Sequence, residues 1–408
     1  MFVCLSQEYS FDIAVPSKSL SEGVICPPFH ISHVCSQWRR VAISLPSLWT
    51  SISVAPYGVH KDVRPILATY IRNARDSPLK IRLSRWFEFR SRKKKCREYS
   101  ENAYNYLLGR IDRCYELIIA NHHSDGMSVP WDATPYMKHL PSLRILTIDL
   151  DTDDNYTLQT YLRNALPCAP NLTTLKMEGC FPEYPVYPLE QLEHFELRLV
   201  ECDVGSLTRW LRLCTNLRNL VLPPYLDPDP DHIQQERKSI PSLTTLQADM
   251  YGYPDYVCPI FSVFQFPSLC ILSMKIVGEF APEYGWPRTF LDALRDSCRA
   301  LKEFDLTVRC TQKRAERAFP ISNILSVMPN LTSFKFTSEG EHPLSDLPNT
   351  LMKSLCCEVL RALTVGHTVP EDMIENGRLN EEAWRSHVAR NPPTLLPKLS
   401  SLQLHEEV

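Results

Sequence analysis

A nine-residue phrase recurs through the C-terminal two thirds of the chain. It runs as an apolar residue, two variable residues, Leu, two variable residues, Leu or Phe, one variable residue and a final apolar residue. We call it the repeat phrase, and its ten copies occupy 140–148, 169–177, 189–197, 214–222, 240–248, 266–274, 298–306, 328–336, 357–365 and 396–404. Its last two apolar positions are two residues apart, and side chains alternate along a β-strand. Each copy is therefore predicted to form a strand with one buried face.

The residue between these two apolar positions is predicted to lie on the opposite face of the strand. It is polar or charged in nine of the ten copies, which a strand buried on both faces would not show. In chain order this row of residues is Thr147, Lys176, Glu196, Val221, Gln247, Ser273, Asp305, Lys335, Thr364 and Gln403. The row predicts a solvated strand face that could hold another molecule.

The spacing of the copies indicates the fold class. From one first Leu to the next the interval is 20 to 39 residues, and a period of about 20–29 with this Leu pattern is typical of leucine-rich repeats. Helical periodicity between the copies predicts helices at 157–166, 206–213, 289–298 and 321–328. We therefore predict an α/β fold, an irregular leucine-rich-repeat solenoid with parallel strands on its concave face and helices on its convex face.

The two ends of the repeat region carry further predictions. Strand-like alternation at 77–86 and 113–122 suggests degenerate first strands, and 57–130 is expected to cap the solenoid because end repeats need a covered core. Helical spacing at 371–391 predicts a helix that packs Trp384 against the last turns. Leu402 and Leu404 are predicted to belong to the terminal edge strand.

The N-terminal stretch 29–54 has the pattern of a short amphipathic helix followed by a turn. Apolar residues recur at three- and four-residue spacing, namely Ile31, Val34, Cys35, Trp38, Val41 and Ala42. The turn LPSLW follows at 45–49. Its Leu48 and Trp49 either face a partner or pack beneath the helix.

Two motifs in this stretch, Val-Cys-x-x-Trp-Arg at 34–39 and Pro-x-Leu-Trp at 46–49, resemble the second half of the F-box-like domain of fungal F-box proteins. Leucine-rich repeats are the usual companion of that domain. The resemblance implies the substrate-recognition subunit of an SCF-type ubiquitin ligase, a monomer within a hetero-complex that contains a Skp-type adaptor and a cullin scaffold. The implied adaptor-binding residues are Ile31, Val34, Cys35, Trp38, Pro46, Leu48 and Trp49. The implied target-binding face carries Thr147, Lys176, Glu196, Gln247, Ser273, Asp305, Lys335 and Thr364.

The resemblance leaves two alternatives open. The Leu-Pro-x-Glu helix that opens the family's F-box has no match in 16–28, so the chain could instead be a protein-interaction scaffold whose F-box binds no adaptor. A nuclear scaffold that uses the basic run at 90–97 is a further alternative. The predicted organisation is an undefined segment at 1–28, an F-box-like segment at 29–56, a cap with degenerate repeats at 57–130 and leucine-rich repeats at 131–408.

Composition and motifs argue against other classes of function. The net charge of −3 and the pI near 6.5 argue against a general grip on nucleic acid. The sequence lacks the GxSxG, HExxH and Walker motifs, so we predict a protein that is not an enzyme and has neither cofactor nor catalytic residues. The acidic run at 227–231 has His232 and Lys238 where a calcium loop needs Gly and Glu.

Cysteine usage and the uncharged segments bear on the compartment. The chain has 15 cysteines and no CxxC pair, and without an export signal we predict reduced thiols in the cytoplasm or nucleus. Cys214, Cys298 and Cys357 share a repeat position with Leu, Ile, Phe and Met, which favours small core residues over metal ligands. The uncharged stretch 256–274 contains two prolines and overlaps a repeat phrase, so no membrane association is predicted.

Overall fold

The computed structural model describes most of the repeat phrases and the N-terminal helices. The described residues are 11–13, 27–54, 62–86, 94–122, 140–150, 167, 169–179, 181, 189–198, 201–227, 237–251, 258–278, 286, 288–297, 299–310, 321–340, 374–375, 378–379, 386, 396 and 398–407. They divide between two compact units, Met1–Leu192 and Glu193–Val408. Each unit combines helices with parallel strands, so the predicted α/β class is confirmed.

The first unit contains four described helices and six parallel strands. The helices are α1 (Pro27–Val34), α2 (Ser36–Ser44), α3 (Arg64–Ala74) and α4 (Lys94–Leu108), with 3₁₀ turns at Pro46–Trp49 and Ile111–Arg113. The strands are β1 (Phe11–Ile13), β2 (Ser51–Val54), β3 (Leu79–Trp86), β4 (Cys114–His122), β5 (Ile145–Leu150) and β6 (Thr174–Glu178). Each strand pairs in parallel with the next along the chain. The two early strands predicted at 77–86 and 113–122 are therefore present as β3 and β4.

In the second unit the strands are β7 (His194–Arg198), β8 (Glu201–Asp203), β9 (Asn219–Leu222), β10 (Tyr225–Asp227), β11 (Lys238–Ser239), β12 (Thr245–Tyr251), β13 (Phe264–Gln265), β14 (Ile271–Gly278), β15 (Glu303–Cys310), β16 (Ser333–Gly340), β17 (Ile374–Glu375), β18 (Arg378–Leu379) and β19 (Ser401–Glu407). Seven of these, β7, β9, β12, β14, β15, β16 and β19, pair in that order and in parallel. The others form the pairs β8–β10, β11–β13 and β17–β18.

The helices of the second unit lie between the strands of successive repeat phrases. They are α5 (Val204–Leu211), α6 (Cys258–Val263), α7 (Arg288–Ser297) and α8 (Ile321–Leu325). Of these, α5, α7 and α8 confirm three predicted helices, and the fourth prediction, at 157–166, lies outside the described residues. No helix in the described part of the chain is both long and apolar enough to cross a bilayer.

The predicted phase of the strands is confirmed. Leu175, Leu220, Leu246 and Leu272 have at most 1% of their surface exposed. By contrast, Gln247, directly after Leu246, is exposed. Register keeps the leucines together, because Leu246 of β12 lies between Leu220 and Leu272 on the neighbouring strands.

Where the structure describes the start of a repeat phrase, a turn explains why two apolar residues recur three positions apart. The N–H of Leu143 donates to the carbonyl of Leu140 (3.2 Å), and the N–H of Leu331 donates to the carbonyl of Met328 (3.1 Å). This tight turn directs both side chains inward, and Leu140 and Leu143 are fully buried. The next two N–H groups bond to the preceding phrase, as Thr244 and Thr245 both donate to the carbonyl of Arg218 at 2.9 Å. Neighbouring phrases are thus joined at a fixed point while the chain between them varies in length.

Side chains reinforce this junction where the phrase contains Asn-Leu-Thr. The Asn171 amide donates to the carbonyl of Pro141 (2.7 Å), and the Asn330 amide donates to the carbonyl of Arg299 (2.8 Å). Two residues on, the Thr332 hydroxyl donates to the carbonyl of Lys302 at 3.0 Å. The recurring Asn and Thr therefore supply partners to the preceding turn.

The structure differs from the prediction at the end of the repeat region. The eighth and tenth phrases are direct neighbours, because β16 pairs with β19 and Phe334 lies beside Leu402. The ninth phrase, at 357–365, lies outside the described residues. The helix predicted at 371–391 is wrong at 374–375 and 378–379, where β17 and β18 form an antiparallel pair. Within the same range Ser386 is helical, and Trp384 lies outside the described residues. The terminal strand is confirmed as β19, in which Leu402 and Leu404 are buried.

Candidate interaction surfaces

The two N-terminal helices meet at a corner at Cys35, whose backbone is extended between α1 and α2. Side-chain hydrogen bonds from both helices hold the corner. The Ser32 hydroxyl donates to the carbonyl of Phe29 (2.8 Å) within α1, and the Arg39 Nε donates from α2 to the carbonyl of Ser32 (3.0 Å). The corner therefore has a defined geometry on which exposed side chains can act together.

Exposed apolar side chains are concentrated on these two helices. Val34 is 68% exposed, Trp38 36% and Ile43 44%, and they are three of the five large apolar side chains that are exposed in the described part of the chain. Cys35 at the corner is also exposed, while Ile31 and Pro46 are half-buried. We call Val34, Cys35 and Trp38 the corner surface. Ile43 was missed by the sequence analysis because it lies off the helix face that the apolar spacing marks.

The remaining two predicted adaptor-binding residues, Leu48 and Trp49, are in the core. Their exposed fractions are 8% and 1%. The Trp49 Nε1 donates to the carbonyl of Ala42 at 2.7 Å, beneath the end of α2. Of the two arrangements that the sequence allowed, the structure has the one in which they pack beneath the helix, so neither belongs to the corner surface.

The predicted target-binding residues line up within each unit on the sheet face opposite the leucines. In the first unit Thr147 lies beside Lys176. In the second unit the register aligns Glu196, Val221, Gln247, Ser273, Asp305, Lys335 and Gln403 on successive strands. We call these positions the polar row. Thr364 lies outside the described residues.

One ion pair joins two members of the polar row, and a second joins residues further along the same strands. Lys335 Nζ lies 3.2 Å from Asp305 Oδ2, and Lys275 Nζ lies 2.8 Å from Glu339 Oε1. The second pair reaches from β14 to β16 across β15. Lys275 and Glu339 lie beyond the repeat phrase, and the same two-residue alternation continued along the strand would have identified them.

Glu196 differs from the other members of the polar row because it is 4% exposed. Its carboxylate pairs with Arg198 and lies 3.3 Å from His194 Nε2, two residues away on either side along β7. A carboxylate enclosed in this way is less accessible to another molecule than Gln247 or Lys335.

The structure places Cys214 among core side chains. It is fully buried, and burial raises the pKa of its thiol to about 12. The thiolate is the form that attacks electrophiles and binds metals, so this cysteine is chemically inert at neutral pH. Cys298 and Cys357 lie outside the described residues. Within the ranges that the structure describes, no three His, Cys, Asp or Glu side chains come together as a metal site.

The basic run at 90–97 lies partly in the described chain. Its last residues, 94–97, form the first turn of α4. The rest of the run lies outside the described residues.

Comparison with known proteins finds little similarity. No protein-family model matches the sequence, and no curated protein matches it. A crystal structure of a protein from Bacteroides fragilis matches 63% of this chain and 69% of its own length, with 12% identity and a TM-score of 0.27. A likeness at this level supports neither a fold nor a function.

Proposed function

We propose that this protein is the substrate-recognition subunit of an SCF-type ubiquitin ligase. In this proposal α1 and α2 dock a Skp-type adaptor, and the repeat phrases form an irregular leucine-rich-repeat solenoid whose polar row holds the target. The observation that carries the proposal is the corner surface. On this corner Val34 is 68% exposed and Trp38 36% exposed, and exposed apolar side chains that lie together favour a protein-binding role.

The polar row supports the second half of the proposal. Along it the uncharged Gln247 and Ser273 are followed by the oppositely charged Asp305 and Lys335, which suits recognition of one particular protein surface more than general adhesion. The protein would position its target for a ligase partner and would carry out no chemistry itself.

The test is binding of the full chain to a purified Skp-type adaptor by calorimetry. Trp38→Ala is expected to weaken binding by about 2 kcal/mol or more, because aromatic anchors dominate interface energies. Ile271→Ala is the matched control, since Ile271 on β14 is 37% exposed, close to the 36% of Trp38. Equal affinity of the Trp38 variant and the wild type would remove Trp38 from the interface.

A protein-interaction scaffold without an adaptor is the second candidate. It is favoured by the burial of Leu48 and Trp49, which reduces the adaptor-binding set from seven residues to five. The same calorimetry separates the two candidates. Absence of heat on mixing wild-type protein with the adaptor, while the polar row still captures a partner, would favour the scaffold.

A further inference from the structure

Trp49 lies where four elements of the first unit meet. Its ring centroid is 5.5 Å from that of Phe29 in α1 and 5.1 Å from that of Tyr70 in α3. Its Nε1 donates to the carbonyl of Ala42 in α2. Two residues later the chain enters β2. The indole therefore contacts both helices of the corner and lies just before the start of β2.

The three aromatic rings form a closed cluster. Phe29 and Tyr70 also contact each other, with centroids 5.8 Å apart, so each ring touches the other two. The two contacts of Trp49 are edge-on, and contacts of this kind stabilise beyond the area that they bury. Trp49 and Tyr70 are each 1% exposed. Loss of one ring leaves a cavity that the other two and the start of β2 must absorb.

The cluster continues directly into the sheet. β2 pairs in register with β3, where Ile52 lies beside Ile81, and both side chains are 1% exposed. The N–H of Lys80 donates to the carbonyl of Thr50, next to Trp49, at 2.9 Å. β2 thus begins just after a residue that the N-terminal helices enclose, and β3 bonds to the residue between them.

We propose that the N-terminal helices, β2 and β3 form one cooperative element, so that a protein bound at the corner surface stabilises β2 and β3. The part that concerns the bound protein rests on the proposed function, whereas the coupling itself does not. A partner that binds the corner only when it is folded stabilises every segment that unfolds together with the corner. The coupling is reciprocal, so stabilising those segments also strengthens binding of the partner.

The first experiment needs no partner and uses hydrogen exchange of the full chain. Phe29→Ala is expected to speed exchange of the amides at 51–54 and 79–83 by about tenfold or more, because the cluster loses a ring and local opening becomes easier. Phe29→Leu keeps an apolar side chain in the cluster, so it serves as a second variant in case Phe29→Ala unfolds the chain as a whole. It should speed exchange of the same amides by a smaller factor. Val34→Ala, on the exposed side of α1, is the matched control and should change nothing there.

Exchange at 271–276 in the second unit reports whether an effect is local. Faster exchange at 51–54 and 79–83 with unchanged exchange at 271–276 supports the coupling. If both Phe29 variants leave the amides of β2 and β3 at the wild-type rate, the coupling is overturned, whatever the chain binds.

A second experiment adds a purified Skp-type adaptor to the wild-type chain. The expected result is slower exchange at 51–54 and 79–83, in addition to protection of α1 and α2. Protection confined to the helices would overturn the coupling. Failure of the adaptor to bind would overturn the proposed function alone, because the Phe29 variants decide the coupling independently.

Discussion

Adjacent residues of one strand contribute very differently to the stability of the fold, as Leu246 and Gln247 of β12 show. Leu246 is fully buried between Leu220 and Leu272, whereas Gln247 is exposed in the polar row. The backbone is the same at both positions, so the difference comes from the alternation of side chains across the sheet.

Leu246→Ala is therefore expected to lower the free energy of unfolding by about 2–5 kcal/mol, because the side chain leaves a cavity in a packed core. Gln247→Ala is the control and should stay within about 0.5 kcal/mol of the wild type. Urea denaturation followed by circular dichroism measures both. A larger loss for the Gln247 variant would place the strand one residue out of phase.

The buried thiol of Cys214 gives the stability a pH dependence. Burial raises its pKa from 9.0 to about 12, so the folded state keeps the proton after the unfolded chain has lost it. The contribution of this buried, protonated thiol to the free energy of unfolding is therefore complete below about pH 9, and it is lost as the pH rises toward 12. Denaturation at a series of pH values should show a steeper fall above pH 9 for the wild type than for Cys214→Ala. Parallel curves for the two proteins would contradict this assignment.

At the scale of the element, the repeat phrase is a turn joined to a strand. The turn is closed by an N–H bonded three residues back, and the strand begins where two N–H groups reach the preceding phrase, as at Thr244 and Thr245. Polar side chains add to this junction in the phrases at 169–177 and 328–336. The element is therefore defined by contacts to its neighbour as much as by its own residues.

Asn330 tests the strength of this junction. Its amide donates to the carbonyl of Arg299, and its Oδ1 accepts from Lys398 Nζ at 2.7 Å. Asn330→Ala removes both bonds and is expected to cost about 1 kcal/mol of unfolding free energy. Lys302→Ala is the control, because the backbone carbonyl of Lys302 takes part in the junction and its exposed side chain has no such role. Thermal melts in which the two variants match would show that the amide contributes nothing.

At the scale of the whole molecule, strands inside a sheet differ from those at its end. β12 pairs on both sides, with β9 and β14, whereas β19 pairs in the described part of the chain with β16 alone. Local opening is easier where fewer neighbours hold a strand. The described sheet of the second unit should therefore become less stable toward β19.

Native-state hydrogen exchange measures this gradient. Amides at 399–405 are expected to be protected, although less than those at 243–248. Exchange at random-coil rates throughout 399–405 would show that the tenth repeat phrase does not fold as a strand in solution. Equal protection of the two stretches would show that the end of the sheet is covered as well as its interior.

Much of the fold follows from the sequence alone, because its determinants are local. The alternation in each repeat phrase predicts which of Leu246 and Gln247 is buried, since neighbouring side chains on a strand must point to opposite faces. The same reasoning identifies β3 and β4 before any repeat phrase begins. Helical spacing predicts α5, α7 and α8, whose bounds differ from the prediction by at most a few residues.

Contacts between distant parts of the chain were settled by the tertiary structure alone. An amphipathic pattern allows Trp49 to lie on either side of a helix, and only the rings of Phe29 and Tyr70 place it inside. A repeat phrase does not specify its neighbour, so the pairing of β16 with β19 could not be predicted from spacing. The helix predicted at 371–391 does not extend over 374–375 and 378–379, which form an antiparallel strand pair, because short segments take the conformation that their surroundings stabilise. Local patterns thus determine what each segment can form, and long-range packing decides which partner it meets.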